Sequence, residues 1–187
     1  VEERISREKP CRTLFVRNIQ YSTNVGEIKE VFDKFGHVKD IFNLIEKRGM
    51  AFITFYDLRA AEDAKKAMQN GVFHGRHIDV HYSLPKEEEV NSACDRTKNQ
   101  GTLLVTLKDS DYGLRDDELY SYYSQFGDIK NIRTPYFKTA NKNRDRFQRL
   151  IEYYDSRACV EAYDNTLDQP YKGGYWHCAF FWDASLR

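Results

Sequence analysis

The feature that most constrains this chain is that it repeats itself. Thr13-Leu14-Phe15-Val16 returns as Thr102-Leu103-Leu104-Val105, Phe35-Gly36-His37-Val38-Lys39 as Phe126-Gly127-Asp128-Ile129-Lys130, and Tyr56-Asp57-Leu58-Arg59-Ala60 as Tyr154-Asp155-Ser156-Arg157-Ala158. The offsets are 89, 91 and 98, counted from Thr13 to Thr102, Phe35 to Phe126 and Tyr56 to Tyr154. Order is kept, and spacing grows in two places only: before the first helix of the second copy, and in the stretch before Arg149. Insertions of that kind belong in loops. The 187 residues therefore read as two related domains, 12–84 and 101–187, with a flank at 1–11 and a linker at 85–100.

Each copy reads strand, helix, strand, strand, helix, strand. In the first, 13–19 is a β-rich run. Ile28, Val31, Phe32 and Phe35 fall at i, i+3, i+4 and i+7, which predicts a helix over 27–35 with one apolar face, and Gly36 is expected to stop it. Runs 38–44 and 50–56 predict strands. An alanine-rich helix over 60–68 follows, with Asp57 as its N-cap, and 77–82 is the last strand. This βαββαβ order predicts an α+β, ferredoxin-like fold in each copy: a four-stranded antiparallel sheet with two helices on one face. The other face is left open to a ligand. The linker is polar and without periodicity; if flexible, its sixteen residues span roughly 20–24 Å r.m.s..

The strand over 50–56 carries a signature. Arg48-Gly49-Met50-Ala51-Phe52-Ile53-Thr54-Phe55 resembles the octapeptide of the RNA recognition motif, with Met50 in place of the usual first aromatic. Leu14-Phe15-Val16-Arg17-Asn18-Ile19 resembles its companion hexapeptide. Strand residues alternate faces, so Leu14, Val16, Ala51 and Ile53 face the helices, while Phe15, Arg17, Met50, Phe52 and Thr54 face outward. Aromatic rings on an open sheet suit the stacking of unpaired bases, worth roughly 1–3 kcal/mol per base. Phe15 and Phe52 are the stacking candidates, with Phe42 and Met50 beside them. Asp79 and His81 alternate with Ile78 and Val80 and share that face. Arg17 and Arg48 are candidates for phosphate or a base edge.

The second copy departs from the pattern. Leu104 stands where the hexapeptide aromatic belongs, Gln148 and Leu150 hold the stacking positions, and Phe147 replaces the glycine. Two readings stay open for it: RNA contact through a basic loop, or a sheet that serves another protein. The last strand, 175–182, is aromatic enough that some rings are core and others lie on the outer face.

Longer stretches, Arg12 to Ile19, Phe55 to Ala61 and Gln100 to Leu103, resemble the two N-terminal motifs of the Mei-two family of meiosis regulators, over most of residues 12–165. The resemblance implies an RNA-binding regulator with a meiotic role. That family carries a third, C-terminal motif, which this sequence does not contain.

Charge neither requires nor forbids such a role. The 29 basic and 29 acidic residues balance, against the basic excess usual for nucleic-acid binders. Distribution restores the case: Lys138, Lys142, Arg144, Arg146 and Arg149 lie together with Asp145 as the one acid among them. Of these, Lys138, Lys142, Arg144 and Arg146 are the phosphate candidates. Cys11, Cys94, Cys159 and Cys178 are too far apart for a metal motif, and free thiols are expected. No apolar stretch approaches the ~20 residues that cross a bilayer, and the start, 1–10, reads as the edge of an excised fragment without a signal peptide. No phosphate loop, nucleophile elbow or metal spacing occurs, so no enzyme and no cofactor is expected. The expected partner is single-stranded RNA in the nucleus or cytoplasm. The alternative is a protein-interaction platform in an RNA-processing or mRNA-decay complex.

Overall fold

A computed structural model describes residues 9–83, 94–135 and 144–182, with side chains of 144 and 145 left aside. The chain divides into two compact units, one up to Glu87 and one from Glu88 to Ser185. In the first unit the elements are β1 (Thr13–Arg17), α1 (Val25–Asp33), β2 (Val38–Leu44), a one-turn α2 (Ile45–Arg48), β3 (Met50–Phe55), α3 (Leu58–Met68), a hairpin β4 (Val72–Phe73) and β5 (Arg76–His77), and β6 (Asp79–Tyr82). Its antiparallel sheet runs β2-β3-β1-β6. Leu14, Val16, Ala51, Ile53 and Val80 turn to the helices and are buried with Ile28, Phe32, Ala61 and Ala64. That layer holds the sheet flat against α1 and α3 and leaves its other face for the site.

The second unit repeats the order: β7 (Thr102–Lys108), α4 (Asp116–Tyr123) with a 3-10 turn at Ser124–Phe126, β8 (Ile129–Arg133), α5 (Arg144–Phe147), β9 (Gln148–Tyr153), α6 (Ser156–Thr166), β10 (Pro170–Tyr171) and β11 (Gly174–Phe180). Its sheet has five strands, β10-β11-β7-β9-β8, not the expected four, because β10 pairs with β11. Its core is more aromatic: Tyr123, Tyr153 and Trp176 are fully buried, and the Tyr153 hydroxyl donates to the Tyr123 carbonyl at 2.7 Å.

The repeated motifs turn out to touch each other. A Cβ on Gly36 would lie 2.4 Å from the Cβ of Ala60, and one on Gly127 would lie 2.5 Å from that of Ala158. The Phe-Gly and Tyr-Asp-x-Arg-Ala segments are thus two sides of one close approach. Gly36 does not cap α1 in a left-handed turn, as expected from sequence; α1 ends at Asp33, and the glycine is there because Ala60 needs the space. Asp57 caps its helix as expected, accepting from Arg59 N at 2.8 Å, and Asp155 does the same in the second unit, accepting from Arg157 N at 2.8 Å.

Other boundaries moved. The helix predicted over 27–35 begins at Val25, where Asn24 caps it through Gly26 N at 2.7 Å. His77 belongs to the β4–β5 hairpin, turned at Gly75 with φ 78°, and the last strand starts at Asp79. The end of the segment read as linker is folded onto the second unit. Arg96 pairs bidentately with Asp164 and lies over the Tyr163 ring, while Asn99 is buried and bonds Gly101 N at 3.0 Å.

Candidate nucleic-acid interface

The outward face of the first sheet is built by alternation. Register pairs Phe42 with Phe52, Phe52 with Phe15, and Phe15 with His81. Four rings, one from each strand, therefore form a row across the sheet. Phe15 and Phe52 stack at 4.7 Å between centroids and 17° between planes, and Phe42 tilts toward Phe52 at 6.3 Å and 50°. Each of the stacked rings shields one face of the other. Phe42 is 62% exposed, an unusual position for a side chain whose full burial is worth about 1.5–3 kcal/mol.

A second row crosses the sheet beside the first. Leu44 pairs with Met50, and Arg17 with Asp79. Arg17 donates to Asp79 Oδ2 at 2.6 Å, and its guanidinium lies 5.7 Å from the centroid of Phe15. His81 Nε2 lies 2.9 Å from the same carboxylate, and Gln69 donates to its other oxygen at 3.2 Å. Desolvation raises the Asp79 pKa, but the bonds from Arg17, His81 and Gln69 outweigh it and hold the carboxyl below its ordinary value. On the flank, Thr13 and Thr54 share a hydroxyl hydrogen bond at 2.9 Å.

Arg48 ends α2 on the surface, one residue before Gly49, whose φ of 62° and approach to the Ile19 carbonyl leave no room for a side chain. This explains the octapeptide glycine: a Cβ there would sit 2.6 Å from the Ile19 oxygen. Phe15, Arg17, Phe42, Met50, Phe52 and His81 thus share one face, with Arg48 two residues ahead of β3. The sequence placed Asp79 on this face but gave no sign that it holds Arg17. That link depends on β1 lying next to β6, 62 residues away.

Of the second unit's four candidates, Arg146 is the one whose side chain is described. Lys138 and Lys142 lie outside the described residues, as does the Arg144 side chain. Arg146 donates to the Asp111 carbonyl at 2.9 Å. Arg149, counted among the basic cluster, is instead a packing residue: it bonds Asp116 Oδ1 at 2.9 Å and the carbonyls of Gln148 and Leu114, with its side chain 12% exposed. On the outward sheet face, Leu150 and Thr102 are buried and Leu104 is half-buried. Glu152 stands among them, with Lys130 Nζ at 3.2 Å and Asn131 donating at 3.4 Å. In the aromatic strand β11, Trp176 and Phe180 go to the core side, and Tyr175 and His177 pair outward with Lys108 and Thr106. None of the four cysteines is joined in a disulfide. Among the described residues, no group of three or more His, Cys, Asp or Glu is placed to hold a metal, and no helix is long and apolar enough to cross a membrane.

The RNA recognition motif family pattern matches residues 14–79. The rice protein MEI2-like 4 is 36% identical over 160 residues, covering 86% of this chain and 15% of the rice protein. Arabidopsis thaliana MEI2-like 5 is 33% identical over 155 residues, covering 83% of the chain and 18% of that protein. The chain thus spans less than a fifth of either relative. Among solved structures, the two RNA recognition domains of Drosophila melanogaster Sex-lethal cover 82% of this chain, and 92% of theirs is covered, at 18% identity and a TM-score of 0.36. The family match over residues 14–79 and the sheet order place the first unit in the RNA recognition motif class. Within that class the chain resembles the Mei2-like proteins.

Proposed function

We propose that this chain is the single-stranded RNA-binding portion of a post-transcriptional regulator with a meiotic role, acting in the nucleus or cytoplasm. The first unit is the principal site. The observation that carries this reading is the row Phe42–Phe52–Phe15–His81 on the helix-free face, with Arg17 beside it. Apolar rings on an otherwise solvated face gain from a base laid on them, and a duplex, whose bases are already stacked, cannot supply that contact. The test is competition in a titration of the whole chain: unpaired RNA should displace a labelled single strand, and a perfect duplex of equal length should not. Equal displacement by both would move the site off the sheet.

The second unit assists through the basic segment 138–146 and not through its sheet. An alternative role for it, as a docking domain for another protein, is favoured by one observation: its sheet carries Leu104 and Leu150 where the first unit carries rings, with the Glu152 carboxylate among them. Chemical-shift mapping with short RNA decides this. The reading requires shifts at Phe15 and Phe52 and none at Leu104 and Leu150.

A further inference from the structure

We propose that Asp79 is a positioning residue that locks Arg17 into a base-reading fork beside Phe15, and that this fork selects a base edge offering two adjacent acceptors, guanine or cytosine, over adenine and uracil. This rests on the stacking role proposed above for the first unit. The geometry comes first. Phe15 gives one face to Phe52, so a base stacks on its other side or over its edge. The Arg17 guanidinium, 5.7 Å from the ring centroid, is then at the rim of that base.

A guanidinium on an exposed strand would ordinarily sample many rotamers and lose that freedom on binding. Here it is fixed by a 2.6 Å bond to Asp79, and Asp79 is itself fixed. Gln69 donates to Asp79 at 3.2 Å while its own carbonyl oxygen accepts from Val80 N at 2.6 Å, and His81 lies 2.9 Å away. With three donors around it, this carboxylate is spent on holding neighbours, not on reading RNA. Arg17 is not spent. One of its N–H groups goes to Asp79, a guanidinium carries five, and the side chain is still half exposed.

A fixed fork with parallel donors matches paired acceptors. Guanine presents O6 and N7 side by side, and cytosine presents O2 and N3. Adenine alternates acceptors with its amino group, and uracil places N3–H between its two carbonyls, so neither offers such a pair. An acid in the middle of a phosphate-binding face would otherwise be a defect, since it repels the backbone. A role in orienting Arg17 accounts for its presence.

The test uses the whole chain and short oligoribonucleotides: oligo(A), oligo(U), oligo(C), and oligo(U) carrying one guanosine or one 7-deazaguanosine. The expected result is that oligo(C) or the guanosine oligomer binds roughly tenfold tighter than oligo(A) and oligo(U), the size of one bidentate base contact. If guanosine is the favoured base, its 7-deaza analogue, which lacks N7, falls back toward oligo(U). Arg17→Lys, which keeps the charge but loses the fork, should bring the preference close to one. Asp79→Ala should narrow it by raising oligo(U) binding, because an acid leaves the face while Arg17 loses its lock; a thermal melt checks that this variant folds. A preference that survives Arg17→Lys, or one that Asp79→Ala leaves unchanged, overturns the proposal. Equal affinity for all oligomers overturns the fork and leaves stacking intact, whereas no binding to any of them overturns both.

Discussion

The two sheets share a pairing register across four strands and differ in chemistry. The row Phe42–Phe52–Phe15–His81 of the first unit corresponds to Arg133–Leu150–Leu104–Ala179 in the second, strand for strand. The neighbouring pair Arg17–Asp79 corresponds to Thr106–His177, where Gln148 donates to the Thr106 hydroxyl at 3.0 Å. On the opposite flank, Thr54 is matched by Glu152. Phe52, Phe15 and His81 thus give way to the aliphatic Leu150, Leu104 and Ala179, Arg17 to the neutral Thr106 and Thr54 to the acid Glu152, while Phe42 gives way to the cationic Arg133. The helix-facing side keeps its apolar residues in both. The frame is therefore maintained by packing, while the outer face is free to change its ligand.

The largest expected effect tests that division directly. Phe15→Ala with Phe52→Ala should weaken RNA binding of the whole chain at least tenfold, since each stacked base is worth roughly 1–3 kcal/mol. Leu104→Ala with Leu150→Ala should leave RNA affinity within about twofold and instead lower the stability of the second unit, with Leu150 contributing about 2–5 kcal/mol as a buried leucine. A titration and a thermal melt on each double variant measure both quantities. Similar losses of affinity in the two would erase the contrast between the faces.

Next in size is a prediction that the frames are alike. Gly36→Ala and Gly127→Ala both drive a Cβ to about 2.5 Å or less from an alanine methyl, and overpacking of that kind costs roughly 1–3 kcal/mol. Each should destabilise its own unit by a similar amount, and Ala60→Gly should restore part of the loss caused by Gly36→Ala. Denaturant unfolding reads this. A neutral Gly36→Ala would mean that the repeat was preserved for some reason other than this contact.

Much of this was legible from sequence because it follows from alternation. Once Leu14, Val16, Ala51 and Ile53 are assigned to the core, Phe15 and Phe52 can only face outward, and the structure places them so. What could not be read depends on contacts between residues far apart in the chain. Gly36 looks like a helix stop until Ala60 is seen against it. Arg149 looks like part of a basic cluster until Asp116, 33 residues earlier, is found beside it. Arg96 looks like linker until Asp164 appears. The fifth strand of the second sheet is two residues long, too short for periodicity to register.

A smaller effect concerns the basic segment, the only part of the second unit assigned to RNA. Replacing Lys138, Lys142 and Arg144 with Ala should flatten the slope of log affinity against log salt by about 2, at roughly 0.7 per phosphate contact on a single strand. Arg149→Ala should leave that slope unchanged, because its donors are already held by Asp116, Gln148 and Leu114, and should lower stability instead. An unaltered slope in the triple variant would remove the segment from the interface and leave the docking role as the reading of the second unit.

The smallest expected effect separates charge from hydrogen bonding at a helix cap. Asp57 caps α3 through Arg59 N at 2.8 Å and is bridged by the Arg59 side chain. Desolvation raises its pKa, but the side-chain and backbone bonds from Arg59, with the charges of Arg59 and Arg12, outweigh it and hold the carboxyl below its ordinary value of 3.8. A depressed carboxylate contributes stability that is fully present above the unfolded pKa and is lost as pH falls through the lower folded one. The first unit should therefore lose this contribution only below about pH 4, near the unfolded Asp value. Asp57→Ala should cost about 1 kcal/mol at neutral pH, as loss of an N-cap usually does. Asp57→Asn keeps a good capping acceptor, so near neutrality it should be milder than Asp57→Ala, and it removes the titrating group. Its stability should fall less steeply than that of the parent chain as pH drops below 4. Parallel acid limbs for the parent and Asp57→Asn would show that the cap acts through its hydrogen bond alone and that the Arg59 and Arg12 charges add nothing to the fold.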